Sequence, residues 1–242
     1  MASASIDICD SPAALATRAA DGFASACEQA IRERGRFAVA LSGGTTPRAM
    51  LEALAERALA WPNIHFFWSD ERCVGPEDPD SNYGMARAAL LDRAGVPPPN
   101  VHRMKGELEP RAGARDYSEA LRVFFTAWPI FDLVYLGLGP DGHTASLFPG
   151  TTALGVTHET CVANRVGGQV PSPWRLTLTY PTINAARRVR FLVEGAQKAD
   201  ILKQVVEGAQ DVERYPAQGI APGSGDLRWL IDAAAAARLE VR

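Results

Sequence analysis

Short continuous apolar runs alternate along this chain with stretches whose apolar positions recur every three or four residues. Ser11-Pro12 reads as a helix opening, because a side-chain oxygen can cap free N–H groups and proline suits a first helical turn. Leu15, Ala19, Phe23, Ala26, Cys27, Ala30 and Ile31 then follow at helical spacing, and Gly35 supplies the stop. Phe37–Leu41 is the run expected of a strand buried on both faces. Thr46-Pro47 opens a helix to about Leu59, and Ile64–Trp68 is the next strand. A polar loop, Ser69–Ser81, leads to a helix near Asn82–Arg93; three prolines, Pro97 to Pro99, precede a short strand at Val101-His102. A helix over Ala112–Trp128 leads into the strongest strand, Phe131–Leu138. Strands at Arg175–Thr179, Val189–Val193 and Leu227–Ile231, a helix at Ala196–Glu207 and a short helix at Ala233–Arg238 complete the pattern.

Strands alternating with helices predict an α/β fold of Rossmann-like, three-layer type, a mostly parallel sheet with helices on both faces. No repeat or low-complexity linker divides the chain, so residues 1–242 read as one domain. The weak periodicity of Gly150–Gly168 leaves room for a lid or small subdomain near 150–170. In such sheets ligands sit beyond the carboxyl ends of the strands. Three polar loops follow strands here: Ser42–Thr46, Ser69–Ser81 and Gly139–Ser146.

Composition narrows the function classes. Twenty-five Lys and Arg against 28 Asp and Glu give a formal charge of −3, which argues against general nucleic-acid binding. No apolar stretch is long enough for a membrane span, and Asp7 and Asp10 stand where a signal peptide would carry basic residues. The expectation is a soluble cytoplasmic protein. Cys9, Cys27, Cys73 and Cys161 lie far apart with no CxxC pair, so reduced, packed thiols are expected.

The chemistry concentrates in the three loops. In LSGGTTP, residues 41–47, two glycines let backbone N–H groups approach an anion and the next helix points its positive end there. An ordinary capped βα turn fits equally well, and no Lys makes it a Walker loop. Asp70, Glu71 and Arg72 emerge together at a strand end, where a guanidinium fork suits phosphate or a carbonyl oxygen. Gly137, Gly139 and Gly142 match G-x-G-x-x-G, but Pro149-Gly150 cuts short the helix a dinucleotide site requires. In the same loop His143 follows Asp141 by two residues, a histidine suited to proton transfer beside a carboxylate able to orient it. His65, His102 and His158 follow no catalytic pattern, and no His or Cys pair has metal-ligand spacing. Neither a metal nor a cofactor is expected.

Seven separated motifs together resemble the 6-phosphogluconolactonases: LSGGTTP at 41–47, SDER with SNYG at 69–84, DLVYLGLGPDGHTASLFPG at 132–150, RLTLTYPTIN at 175–184, FLVEGAQKADIL at 191–202, PAQGI at 216–220 and WLIDAAAA at 229–236. The resemblance runs over nearly the whole chain. It implies a fold similar to that of the glucosamine-6-phosphate deaminases, and hydrolysis of 6-phosphogluconolactone to 6-phosphogluconate in the pentose phosphate pathway. It places His143 on the catalytic base, with Ser42, Gly43, Gly44, Thr45, Arg72 and Lys198 around the phosphorylated sugar. Arg165 resembles a phosphate arginine of the deaminase branch, and Asp70 that branch's proton-abstracting residue. Where deaminases resemble DGHIAFNEP, this chain reads DGHTASLFP, with Phe148 at the position of the ring-opening carboxylate. A deaminase is therefore the runner-up reading, and a non-catalytic sugar-phosphate sensor ranks last because His143 is retained. The partner implied is a small phosphosugar lactone, with no nucleic acid or membrane, bound by a monomer or weak homo-oligomer. The expected mechanism has His143 take a proton from water that attacks C1. Arg72 or a backbone N–H then steadies the oxyanion.

Overall fold

A computed structural model describes residues 5–167, 172–223 and 225–240 of the chain. The main sheet has six strands: β1 (Ser5–Cys9), β2 (Phe37–Leu41), β3 (Ile64–Trp68), β5 (Leu133–Leu136), β8 (Arg188–Val193) and β9 (Asp226–Asp232). Their order is β1-β9-β8-β5-β2-β3, and every pairing is parallel. With its covering helices this is the α/β fold expected. A smaller antiparallel sheet, in the order β4-β7-β6, consists of β4 (Asp70–Arg72), β6 (Cys161–Arg165) and β7 (Trp174–Leu178).

The helices start and stop where side chains allow. Helix α1 (Pro12–Arg34) is capped by Ser11, whose hydroxyl accepts from Ala14 N–H, and ends at Gly35 with φ 73°. Only glycine adopts that left-handed conformation without strain. Leu15, Ala19, Phe23 and Ala30 have no exposed surface, so the predicted stripe is the buried face. Helix α2 (Thr45–Ala55) follows β2 without a side-chain cap. After β4, α3 (Asn82–Ala86) continues through a π turn at Arg87–Leu91 into α4 (Asp92–Ala94). Helix α5 (Pro110–Phe125) precedes β5 and packs on β6 and β7; α6 (Tyr180–Asn184) and α7 (Ala199–Glu207) flank β8.

Several features depart from the sequence reading, among them Val101-His102, which makes only an isolated bridge from Val101 to Phe66, and the unexpected strand β6. Ser5–Cys9 is a strand, fixed by pairing with β9 rather than by any pattern of its own. Asp70–Arg72, taken as loop, is a strand because β7 pairs with it from a hundred residues away. The strand predicted at Arg175–Thr179 belongs to the small sheet. The tail predicted as a helix is a single 3-10 turn, Ala235–Arg238. The segment 150–170 contributes a 3-10 turn (Thr152–Gly155) and β6, while residues 168–170 lie outside the described residues. Cys9, Cys27, Cys73 and Cys161 are all free thiols. Among the described residues no helix is long and apolar enough to cross a membrane.

Strand order reverses between β2 and β5, since the chain moves outward from β2 to β3 and then returns to β2's other side. The loops after these two strands diverge and leave a crevice between them. Buried Glu71 holds the third wall of that crevice. Its carboxylate accepts from the N–H groups of Arg72, Asn82 and Tyr83, each at 2.8 Å, and from Ser81 Oγ at 3.1 Å. Burial nonetheless pushes this carboxyl up to about 7. Glu71→Gln swaps one acceptor oxygen for an NH2 facing donors. The variant should lose about 1.5 kcal/mol of stability by urea unfolding at pH 8, where the wild-type group is ionised. An unchanged midpoint would show that these bonds do not anchor the segment.

Candidate active site

The crevice is a cavity of about 400 Å³ at the carboxyl ends of β2, β5 and β8, with β4 and β7 as its far side. Each wall brings a different chemistry. The first is the Ser42-Gly43-Gly44 turn ahead of α2. A Cβ on Gly43 would fall 1.8 Å from Asn82 Oδ1, so only glycine lets this turn lie against Asn82. Ser42 Oγ is buried and has no hydrogen-bond partner among the described residues. With α2 uncapped by any side chain, its first N–H groups face the same region, a setting suited to an anion. Thr45 turns away: its hydroxyl donates to Glu194 Oε1 at 3.2 Å, tying this turn to the segment that carries Lys198. Lys198 Nζ lines the cavity and donates to the Leu138 carbonyl at 2.6 Å. Partial burial holds its ammonium below the usual lysine range, although Asp141 pulls the other way.

The second wall is the loop after β5. His143 Nδ1 and Asp141 Oδ1 are 2.5 Å apart, and the His143 backbone N–H donates to the same oxygen at 3.1 Å. Burial works against a charge on Asp141, but the bonds from His143 and its attraction outweigh it and hold the carboxyl below the usual range. With Nδ1–H given to a carboxylate, the neutral ring keeps its free lone pair on Nε2. The ring stacks on Phe148 with centroids 3.9 Å apart at 26°, and Gly139 lies beneath it, where a Cβ would fall 2.0 Å from Nδ1. Position and tautomer are thus both constrained. Ala145, two residues on, lines the cavity with a φ of 47°, a strained value for a residue with a Cβ.

The third wall is the small sheet. Asp70 is buried and accepts from Ser146 Oγ at 2.7 Å and Ser69 Oγ at 3.3 Å. Asn82 Nδ2 donates to the Asp70 carbonyl at 2.9 Å. Arg72 and Arg175 stand directly opposite each other on β4 and β7 and both line the cavity. Like charges so placed repel. Burial and the charge of Arg72 accordingly hold the Arg175 guanidinium below its ordinary value. Both arginines are tethered through carbonyls, Arg72 to Asp80 at 2.5 Å and Arg175 to Ser172 and Trp174. Among the described residues neither guanidinium has a carboxylate in hydrogen-bond contact, which leaves an anion-seeking pair.

The cavity therefore brings together Ser42, Gly43, Gly44, Asp70, Arg72, His143 and Lys198 of the residues singled out in the sequence, with Asp141 behind His143. Thr45 and Arg165 are not among its lining residues. Arg165 is exposed at the end of β6, opposite Trp174, whereas Arg175 stands opposite Asn164. Successive strand residues point to opposite faces, so Arg165 and Arg175 leave the small sheet on different sides. Sequence reasoning missed Arg175 and Ser146, which only the pairing of β7 with β4 and the turn after β5 bring to the cavity. Asn82 was legible as part of SNYG but not as a wall of the site. Among the described residues no group of three or more His, Cys, Asp or Glu side chains could hold a metal ion.

A family model described as glucosamine-6-phosphate isomerases/6-phosphogluconolactonase matches residues 10–229. A 6-phosphogluconolactonase of Nostoc sp. is 44% identical over 241 residues, covering 98% of each chain. One of Synechocystis sp. is 47% identical over 209 residues, 84% of this chain and 85% of its own. Among solved structures, a 6-phosphogluconolactonase from Trypanosoma cruzi superposes with a TM-score of 0.88 at 29% identity, covering 98% of this chain and 97% of that one.

Proposed function

Because the chain belongs to the glucosamine-6-phosphate isomerase/6-phosphogluconolactonase family and hydrolyses 6-phosphogluconolactone to 6-phosphogluconate, we propose a role for each wall of its cavity in that reaction. The Ser42-Gly43-Gly44 turn, the start of α2 and Lys198 take the phosphate. This reading is supported by the orphaned Ser42 hydroxyl and by the Thr45–Glu194 bond that holds the two segments together. The lactone end then extends toward His143 and the arginine pair. Nε2 of His143 takes a proton from water as its oxygen bonds C1. Arg72 and Arg175 stabilise the oxyanion this creates. When the C1–ring oxygen bond breaks, the imidazolium returns its proton to the departing oxygen. Asp141 fixes the ring and steadies its charged form. Asp70, held by Ser146, offers an acceptor to a sugar hydroxyl. The chain works as one unit, a view supported by a cavity that draws on both sheets.

The observation carrying this reading is the 2.5 Å His143–Asp141 pair, which commits Nδ1 and leaves Nε2 as the base. Phe148, stacked on that ring, occupies the position that the resemblance of DGHTASLFP to the deaminase motif gives to a ring-opening carboxylate. Glucosamine-6-phosphate should therefore give no ammonia above background in a coupled assay. Ammonia release at a rate comparable with lactone hydrolysis would overturn the assignment.

Arg175→Ala tests the arginine pair. Losing its bonds to the product carboxylate weakens binding, but relief of the repulsion by Arg72 offsets part of the loss. Affinity for 6-phosphogluconate should fall by about 1 kcal/mol, roughly fivefold, while glucitol-6-phosphate, which lacks the carboxylate, should bind as before. Equal weakening of both ligands would move the phosphate to the arginine pair.

A further inference from the structure

At the opposite end of the main sheet the covered face is not apolar. Parallel strands buried beneath helices ordinarily present branched aliphatic side chains. Here Arg188 and Arg190, alternate residues of β8, share a face, and Arg228 of β9 stands in register with Arg190. Between this face and α1 lies a cavity of about 450 Å³, as large as the active-site cavity. Helix α1 presents small residues to it, Gly22, Ser25 and Ala26, and a Cβ on Gly22 would meet nothing within 4 Å.

The charges lining this space do not cancel. Asp226 is shared, bonding Arg190 and, at 3.2 Å, Arg228. Arg18 pairs with Asp7 at 3.4 Å, while Asp21 is engaged by Arg57, which does not line the cavity, at 2.8 Å. Among the described residues no carboxylate pairs with Arg188; its side chain donates to the uncharged Gln29 Oε1 at 2.6 Å. A closed structural network would match each guanidinium with its own carboxylate and fill the gap with side chains. This one leaves an unmatched fork beside open volume.

We propose that this crevice is a second anion site, which takes a small ligand bearing phosphate groups, with Arg188 and Arg228 as its principal donors. Guanidinium forks match phosphate oxygens in pairs, and the volume admits more than a single phosphate. Its lining includes the first residues of β5, β8 and β9, Leu133, Arg188 and Asp226, whereas the active-site cavity lies beyond the carboxyl ends of β5 and β8, so a ligand here need not compete with substrate.

Inorganic pyrophosphate is the probe, titrated calorimetrically into the full chain at fixed ionic strength, with and without saturating 6-phosphogluconate to fill the active site. One equivalent should still bind under saturation. The Arg188→Gln/Arg228→Gln double variant should bind it at least tenfold more weakly, with lactone kcat/KM unchanged within twofold. Arg188→Lys, which keeps the charge but loses the fork, should lie between. Absence of binding to the saturated wild-type protein would overturn the proposal. So would undiminished affinity in the folded double variant or in Arg188→Lys.

Discussion

Replacing His143 by Asn should lower kcat for the lactone by roughly 10²–10⁴-fold, the contribution typical of a positioned proton acceptor. Asn can fill similar space beside Phe148 and keep a hydrogen bond to Asp141, so 6-phosphogluconate should still bind within a few-fold of wild type. The pH profile separates a base from a structural residue. A neutral imidazole is needed to accept the proton, so wild-type kcat should fall toward acid, and the variant should lack that limb. Asp141, beside the ring, is held below the usual carboxylate range by its bonds from His143. The lactone hydrolyses spontaneously, faster as pH rises, and each rate must be corrected against an enzyme-free blank. A merely structural histidine would instead lower thermal stability and binding together while leaving the limb in place. A folded His143→Asn protein with near wild-type kcat would move the base to Asp70 or Asp141.

Lys198→Ala should weaken binding of 6-phosphogluconate by about 1.5–3 kcal/mol, the range for a hydrogen bond to a charged group, or roughly 10–150-fold in Kd. In the unliganded protein the ammonium bonds the Leu138 carbonyl and is partly desolvated, so a phosphate meets a donor already in position. Calorimetry should show the same loss for glucitol-6-phosphate and almost none for gluconate, which has no phosphate. The contrast with Arg175→Ala, which should spare glucitol-6-phosphate, assigns the two ends of the ligand. Equal weakening of 6-phosphogluconate and gluconate would show that Lys198 serves the lactone end or the loop itself.

The local pattern made the parallel core legible because burial on both faces writes itself as a continuous apolar run. Phe37–Leu41, Ile64–Trp68 and Leu133–Leu136 all lie in such runs, and all are buried almost throughout. The small sheet left no such mark. Asp70–Arg72 is three charged residues, and it becomes a strand only because Trp174–Leu178 supplies its ladder. Ser5–Cys9 likewise depends on β9, at the other end of the chain. Glycine-rich turns and the DGH segment were legible because their chemistry is local: the His143–Asp141 contact spans two residues. Arg175 was not, since its place opposite Arg72 is a product of long-range register. Arg165 shows the converse limit. Likeness of a short segment named the residue, but strand alternation sends its side chain away from Arg175's face.

The most direct test of the division of labour in the cavity is a crystal structure with 6-phosphogluconate bound. The expected complex has the phosphate on the Ser42-Gly43-Gly44 turn and Lys198, and the C1 carboxylate within about 3 Å of His143 Nε2, facing Arg72 and Arg175. A product lying the other way round, with its phosphate on the arginine pair and C1 out of reach of Nε2, would contradict it.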